Sequence, residues 1–270
     1  MTSVAEIRTL PATALDTRTP VAPDPTDAMR SLKQYLAGRP VIITIDGPAA
    51  VGKGTVSKML ARRGGLQILD TGKMYRAVTL AALDEGIAPS EAARLVDLIK
   101  RARICFDWDE DPPAIFAFER PQGHRLGTEA VENKVSLYAG VPAVRQALIE
   151  EQRRLADEHP RLVCDGRDQG AVVFPKAHVK FFLSAPAEVR ARRHAMRHGR
   201  SEMPQADLDA LAQKIRERDE LDVRNGALIQ PPDAVLLNSA GWTVDQTVDE
   251  MERAIREKFG PGPDATPRGA

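Results

Sequence analysis

The sequence has little cysteine, few aromatic residues and no excess of either charge. Its 270 residues include two cysteines, Cys105 and Cys164, too few for a disulfide framework and not spaced as metal ligands. Lysine plus arginine and aspartate plus glutamate both total 38, so the formal net charge is zero. A protein that binds nucleic acid or anionic membranes by charge would be basic. We therefore expect no nucleic-acid partner.

Long apolar runs are also missing. No stretch approaches the ~20 residues that a membrane-spanning helix needs, and 43% hydrophobic with 28% charged residues is an ordinary globular composition. Both cysteines lie in apolar segments and are expected to be reduced and buried. These features predict a cytoplasmic protein without a membrane partner, and we expect a monomer.

The two chain ends differ in composition from the body. Residues 1–26 contain four prolines and no aromatic residue, and such a segment buries too little apolar surface to fold. Residues 1–37 are therefore predicted to be a disordered arm, in which 27–37 could add a short helix. Residues 261–270 are predicted to be a flexible tail. The folded domain is expected over residues 38–260.

Short apolar runs alternate with helical patterns along this domain. Strands are expected at residues 41–45, 66–69, 162–164, 179–183 and 234–237. Helices are expected between them, including 53–63 and 244–258, the latter opened by a capping box of Thr243 and Gln246. The alternation predicts an α/β fold with a parallel sheet and helices on both faces. Residues 86–160 are too many for one crossover, so a small subdomain is predicted to be inserted at about 86–142.

A glycine-rich loop follows the first predicted strand. It reads Gly47, Pro48, Ala49, Ala50, Val51, Gly52, Lys53, Gly54 and Thr55. The glycines let consecutive N–H groups surround phosphate oxygens, and the helix that follows adds its positive dipole end. Lys53 can reach the terminal phosphates. Gly54 occupies the place where a hydroxyl usually meets the metal ion, and an ordinary glycine turn is the alternative. The context of strand, loop and helix predicts a P-loop that binds ATP.

A second segment with possible ligand groups follows the next strand. Thr71 is expected to be the N-cap of a helix whose apolar stripe includes Met74, Ala77 and Val78. Arg76 lies opposite that stripe and is free to point at a ligand, although a single arginine in this position could equally be a solvated surface residue.

The chain resembles the bacterial cytidylate kinase family of P-loop nucleoside monophosphate kinases from about Val41 to Lys258. The shared motifs are residues 45–50, 70–72 with Tyr75 and Arg76, 165–168 with Gly170, 172–175, and Arg218 and Asp219 with Asp222. The resemblance implies a five-stranded parallel sheet of order 2-3-1-4-5, an insertion on the CMP side and a short lid at about 186–224. It also implies transfer of the γ-phosphoryl group of ATP to CMP or dCMP, in pyrimidine nucleotide metabolism.

The same resemblance assigns the acceptor side. Arg76 and Arg167 would hold the CMP phosphate, because a guanidinium fork suits two phosphate oxygens, and Tyr75 would lie beside that phosphate or the sugar. Thr71 is also expected to bind the substrate. The cytosine-reading positions are Ser136, Arg145 and Asp168, and the sugar-contacting positions are Arg218 and Asp222. A carboxylate accepts from cytosine N4 but faces a carbonyl in uracil. The alternatives are a core tyrosine for Tyr75, a plain salt bridge for Arg145, and a surface ion pair between Arg218 and Asp222.

The residues predicted to contact the phosphates of ATP are Lys53 and arginines of the lid. Arg193 and Arg197 are predicted to act on the donor phosphates, with Arg193 also binding ATP; a solvated amphipathic helix is the alternative. Mg²⁺ is expected with ATP and keeps several waters, so no direct protein ligand is predicted. Asp165 is the candidate for contact through water, and Asp46 is the second choice.

One segment departs from the family pattern. The family places an arginine three residues after Asp222 and then a Pro-Leu pair, whereas this chain has Asn225 there, with Arg224 before it and Leu228-Ile229 after it. We predict that Arg224 replaces the missing arginine; the alternative is that the contact is lost. Two rival functions remain at this point: a P-loop kinase for UMP or a non-nucleotide acceptor, and a non-catalytic nucleotide-binding regulator.

Overall fold

A central parallel sheet organises the chain. The computed structural model describes residues 31–260. The strands are β1 (Val41–Asp46), β2 (Gln67–Asp70), β3 (Cys105–Asp107), β4 (Ala114–Ala117), β5 (Arg120–Pro121), β6 (Arg161–Asp165), β7 (Val179–Ser184) and β8 (Val235–Asn238). Five of them form a parallel sheet in the order β2-β6-β1-β7-β8, which is 2-3-1-4-5 when only these strands are counted. The predicted α/β fold and strand order are confirmed.

Helices cover both faces of this sheet. They are α1 (Leu32–Tyr35), α2 (Lys53–Gly64), α3 (Thr71–Asp84), α4 (Ala92–Ala102), α5 (Glu129–Ala139), α6 (Pro142–Glu158), α7 (Ala187–Arg197), α8 (Gln205–Arg224) and α9 (Val244–Phe259). Strand alternation divides the core between the faces: Leu162 and Cys164 of β6 join the cluster under α3, α4 and α6, whereas Val163 joins the cluster under α2 and α9. The predicted capping box of Thr243 and Gln246 opens α9.

Between α3 and α6 the chain leaves the central sheet. Strands β3, β4 and β5 form a small antiparallel sheet, followed by a 3₁₀ turn and by α5, which packs on α3. The prediction that Cys105 is buried is wrong. Phe106 points inward from this short strand, so the alternation of side chains leaves Cys105 exposed.

Helices α7 and α8 form a hairpin beside the carboxyl ends of the strands. They pack through small side chains, with Ala187, Ala191, Ala212 and Ile215 as their own buried cluster. None of the helices within residues 31–260 is both long and apolar enough to cross a membrane.

The predicted disordered arm is wrong for residues 31–37. Leu32, Tyr35 and Leu36 are spaced as one face of a helix, and all three are buried against the cluster under α2 and α9. Ser31 caps α1, and the Tyr35 hydroxyl donates to the carbonyl of Gly260. The short helix considered within 27–37 is present as α1, but its burial against the core was not predicted. The remaining predictions for the arm, and the predicted tail at 261–270, lie outside the described residues.

Candidate active site

A cleft of about 1050 Å³ opens at the carboxyl ends of the strands, between the P-loop, α3, α5, α7 and α8. Parallel α/β folds place ligands at this edge of the sheet. Most of the predicted site residues line it: Ala49, Ala50, Val51, Gly52, Lys53, Gly54, Thr71, Tyr75, Arg76, Ser136, Arg145, Arg167, Asp168, Arg197, Arg218 and Asp222. Gly47, Pro48, Thr55, Arg193 and Arg224 do not line it.

Two glycines of the P-loop have backbone conformations that other residues rarely adopt. Gly47 has φ +150°, and a Cβ on it would lie 2.4 Å from the carbonyl oxygen of Leu183, so no other residue fits there. Gly52 has φ +103° and is the N-cap of α2, where it provides no side-chain acceptor. The first N–H groups of α2 are therefore not satisfied by a capping side chain, and they are available to an anion.

The side chain of Lys53 is hydrogen-bonded to the P-loop, in which it would contact phosphate. Its Nζ donates to the carbonyl oxygens of Gly47, at 2.8 Å, and Pro48, at 2.9 Å. Burial, followed by the charge of Arg167, lowers the pKa of Lys53 to about 7, against the opposing effect of Asp165. A phosphate in the loop would supply the opposite charge that favours the protonated amine.

The sequence did not lead us to predict an ion pair that connects the P-loop to α7 and α8. Arg190 donates to the carbonyl of Ala49 at 2.8 Å and pairs with Asp219 at 2.6 Å. The other oxygen of Asp219 accepts from the N–H of Ala49 at 3.0 Å. Both side chains are largely buried. Arg190 interrupts the apolar stripe formed by Ala187 and Ala191, and this interruption was the available signal.

Two arginines on the base and sugar side of the cleft are paired with carboxylates. Arg145 forms an ion pair with Asp168, and both side chains are nearly buried. The Nε of Arg167 lies 2.7 Å from Oδ2 of Asp222. Asp222 thus pairs across to Arg167, so the alternative of a mere surface pair within α8 does not describe it. The plain salt bridge considered for Arg145 does exist, but it faces the cleft.

Arg76 and Arg218 complete the positive side of the cleft. Arg76 lies 3.3 Å from Glu132 and donates to the carbonyl of Leu126 at 3.1 Å. Burial and the charge of Arg167 lower the pKa of Arg218 to about 10. Within residues 31–260, the buried Nε of Arg218 has no hydrogen-bond partner. A buried donor without a partner is costly, so this group is suited to meet a bound anion or hydroxyl.

The first turn of α3 corrects one prediction. Asp70, and not Thr71, is the N-cap, and its carboxylate accepts from the N–H of Lys73 at 3.1 Å. The Thr71 hydroxyl instead donates to the carbonyl of Asp165 at 2.8 Å, which ties α3 to β6. Tyr75 faces the cleft from the same helix, and burial raises its pKa to about 12.

Carboxylates end three adjacent strands. Asp165 and Asp70 are register partners at the ends of β6 and β2. Burial and the charge of Asp70 raise the pKa of Asp165 to about 8. Burial also raises the pKa of Asp46 to about 7, but this carboxylate is occupied by the N–H groups of Gln169 and Gly170, both at 2.8 Å. Asp165 and Asp70 both line the cleft, whereas Asp46 positions the turn after β6.

The surroundings of Asp165 are compatible with a hydrated cation. A Cβ on Gly54 would lie 3.6 Å from Oδ2 of Asp165, so the missing hydroxyl leaves room beside the carboxylate. Among the described residues, no group of three or more acidic, cysteine or histidine side chains is placed to hold a metal. A cation here would depend on one carboxylate, on water and on the nucleotide, as Mg²⁺ commonly does.

The two predicted lid arginines have different surroundings. Arg197 lines the cleft together with His194 and Arg200. Arg193 lies one turn earlier and is engaged elsewhere: its Nη1 donates to Oγ of Ser239 at 2.9 Å and to the carbonyl of Val51 at 3.3 Å. In this conformation Arg193 joins α7 to the P-loop and to the turn after β8, and it does not reach the cleft.

The proposed replacement by Arg224 stays a prediction. Arg224 is exposed at the last turn of α8 and does not line the cleft. Each residue of a helix is rotated by about 100° from the previous one. The position of Asn225, seven residues after Arg218, lies near the same face as Arg218, whereas the position of Arg224 is turned away. Neither Arg224 nor Asn225 lines the cleft, but the shift of one residue turns the arginine away from the face of Arg218.

These features define a P-loop phosphotransferase fold with a donor loop and an arginine-lined acceptor side. A family profile described as "Cytidylate kinase" matches residues 43–257. The chain belongs to this family. A cytidylate kinase of Bordetella pertussis is 40% identical over 217 residues, which cover 80% of this chain and 95% of that protein. One of Limosilactobacillus reuteri is 36% identical with the same coverage, and one of Mycobacterium avium is 38% identical over 81% of this chain and 96% of that protein.

Proposed function

We propose that the protein transfers the γ-phosphoryl group of ATP to CMP or dCMP, giving CDP or dCDP and ADP. The observation that carries the proposal is the paired Arg145 and Asp168, which share one cleft with Ser136 and the P-loop. The names of the family and of its curated relatives support the same acceptor.

Asp168 selects the base. Its carboxylate can only accept, so it matches the N4 amino group of cytosine and opposes the O4 carbonyl of uracil. Arg145 holds this carboxylate from its other side and supplies donors that the neighbouring base acceptors can use. Ser136, on the facing side of the cleft, adds a hydroxyl that can donate or accept.

The arginines position the reacting phosphates. Arg76 and Arg167 hold the acceptor phosphate, Arg218 and Asp222 hold the sugar, and Lys53 holds the donor phosphates with the amides of the P-loop. Phosphoryl transfer needs little from the protein beyond alignment and charge neutralisation. Arg197 adds positive charge from α7, and we propose that residues 186–224 close as a lid that excludes water.

Mg²⁺ is the proposed metal. When bound, it would supply positive charge that neutralises the donor phosphates. Asp165 would hold its water shell, in the space that Gly54 leaves beside Oδ2.

The inserted segment at about 86–142 contributes Ser136 and Glu132 to the cleft. Cytoplasmic location and a monomeric state stay predictions.

An assay of ADP release tests the proposal. The protein is incubated with ATP and Mg²⁺ and with CMP, dCMP, UMP or AMP in turn. We expect turnover with CMP or dCMP that far exceeds turnover with the other two. Lys53→Met is the control and should lower turnover by about 10²-fold or more, because charge stabilisation in a closed site is worth several kcal/mol. Equal turnover with UMP would favour a broader kinase, and no turnover with any acceptor would favour a regulator.

A further inference from the structure

Glu132 is a carboxylate in the cleft that the proposed reaction does not use. It lies in the first turn of α5, and its Oε1 is 3.3 Å from Nη2 of Arg76. The side chain of Glu132 is 36% exposed and that of Arg76 is 25% exposed, so both groups are within reach of a ligand. A second nitrogen of Arg76 is already used by the carbonyl of Leu126.

The charge of Glu132 acts across the cleft as well. Burial lowers the pKa of His194 on α7, and the carboxylate of Glu132 acts in the opposite direction. The same carboxylate also opposes the lowering of the pKa of Arg218 on α8. The charge of Glu132 thus acts on groups of both α7 and α8, in a site that we propose receives anionic phosphates. A negative charge in that place opposes ligand binding unless it has another purpose.

We propose that Glu132 is a competitor of the acceptor phosphate for Arg76. In the empty cleft it takes the place of the phosphate and keeps the guanidinium pointing inward. Nη1 of Arg76 donates to the carbonyl of Leu126, so a phosphate that binds through Nη2 must displace the carboxylate from that nitrogen. When the product leaves, the carboxylate returns to Arg76. Glu132 is thus a positioning residue that weakens phosphate binding, and the inference rests on the proposed role of Arg76.

The near-isosteric variant Glu132→Gln tests this competition. Calorimetry without ATP measures the Kd of CMP and of cytidine, which has the same base and sugar but no phosphate. We expect the Kd of CMP to fall about threefold to tenfold in the variant and the Kd of cytidine to stay unchanged. A purely structural role of Glu132 would not tighten CMP binding, and it would affect both ligands together.

The matched control is Glu129→Gln. Glu129 lies on the same first turn of α5, is exposed and also lines the cleft, so the variant removes the same charge from the same helix end. We expect it to change the Kd of CMP less than twofold. An equal decrease in the Kd of CMP in both variants would indicate a general effect of negative charge in the cleft. That result would overturn the proposal.

Arg76→Met separates the inference from the proposed function. Unchanged CMP affinity in this variant would refute the assignment of Arg76 and the inference with it. Weaker CMP binding in Arg76→Met, without tighter binding in Glu132→Gln, would refute the competition alone. The double variant should bind CMP no better than Arg76→Met does, because the competition needs both partners.

Discussion

Asp168→Asn is the sharpest test of base recognition. Asp168 is 4% exposed, and its partner Arg145 faces the same part of the cleft. Asparagine keeps the shape and one acceptor oxygen but loses the charge and gains an NH₂ donor. The charge-assisted bond to cytosine N4 then becomes a neutral bond, whereas the repulsion of uracil O4 becomes a hydrogen bond.

The expected change in base preference follows from these two changes in hydrogen bonding. A hydrogen bond to a charged group is worth about 1.5–3 kcal/mol and a neutral one about 0.5–1.5 kcal/mol, so CMP loses about 1–2 kcal/mol. UMP should gain a similar amount. The preference for CMP over UMP, measured as the ratio of kcat/KM values in the ADP-release assay, should fall by roughly 30-fold to 700-fold.

A matched control distinguishes base reading from general damage. Asp222→Asn neutralises another nearly buried carboxylate of the same cleft, which is also paired with an arginine. It should lower kcat/KM for both nucleotides and leave their ratio nearly unchanged. A CMP to UMP ratio that stays within twofold of the unaltered protein in Asp168→Asn would refute the role of Asp168 in base selection.

Three further perturbations test other parts of the structure. Tyr35→Ala should lower the free energy of unfolding by about 3–5 kcal/mol, since it removes a fully buried aromatic side chain; a urea unfolding curve within 1 kcal/mol of the parent would contradict the integral role of α1. Arg224→Met should change kcat/KM for CMP less than twofold. Asn225→Arg places an arginine on the face of Arg218 and should raise kcat/KM. The opposite ranking of the two variants would indicate that Arg224 does replace the missing arginine. ATP binding at pH 8 should take up protons, because the pKa of Lys53 is lowered to about 7 in the free protein and the phosphates favour the charged amine; ATP affinity then falls as pH rises above about 7. Calorimetry in buffers of different ionisation enthalpy measures this uptake, and an equal uptake in Lys53→Met would assign it to another group.

Periodic patterns predicted the central sheet because they report burial directly. Strand β1 is covered on both faces and is therefore a continuous apolar run, which distinguishes it from an exposed strand. The P-loop was predictable because its glycines are required by local backbone geometry, as the close contact of Gly47 with Leu183 shows. The sequence was therefore sufficient to predict the elements whose structure depends on their own residues.

Other features depend on distant contacts that no local pattern reports. Helix α1 has four residues and gains its stability from packing against α2 and α9, so its own sequence carries a weak signal. Arg190 interrupts an apolar stripe, but the sequence does not show that the peptide of Ala49 is its partner. For Arg224, a departure from the family pattern suggested that a neighbouring arginine replaces the missing one, but the rotation of α8 turns its side chain away from the face of Arg218.

The hydrogen bond from Tyr35 to Gly260 joins α1, which begins after residue 31, to the end of α9 at residue 260. Arg161, the first residue of β6, donates to the carbonyls of Leu36 and Arg39, so this junction lies at the amino ends of the strands. The cleft lies at their carboxyl ends. A short linker could therefore join the two positions in a circular permutant. A protein fused at either position would emerge on the side of the sheet remote from the nucleotides and would leave their entry path open.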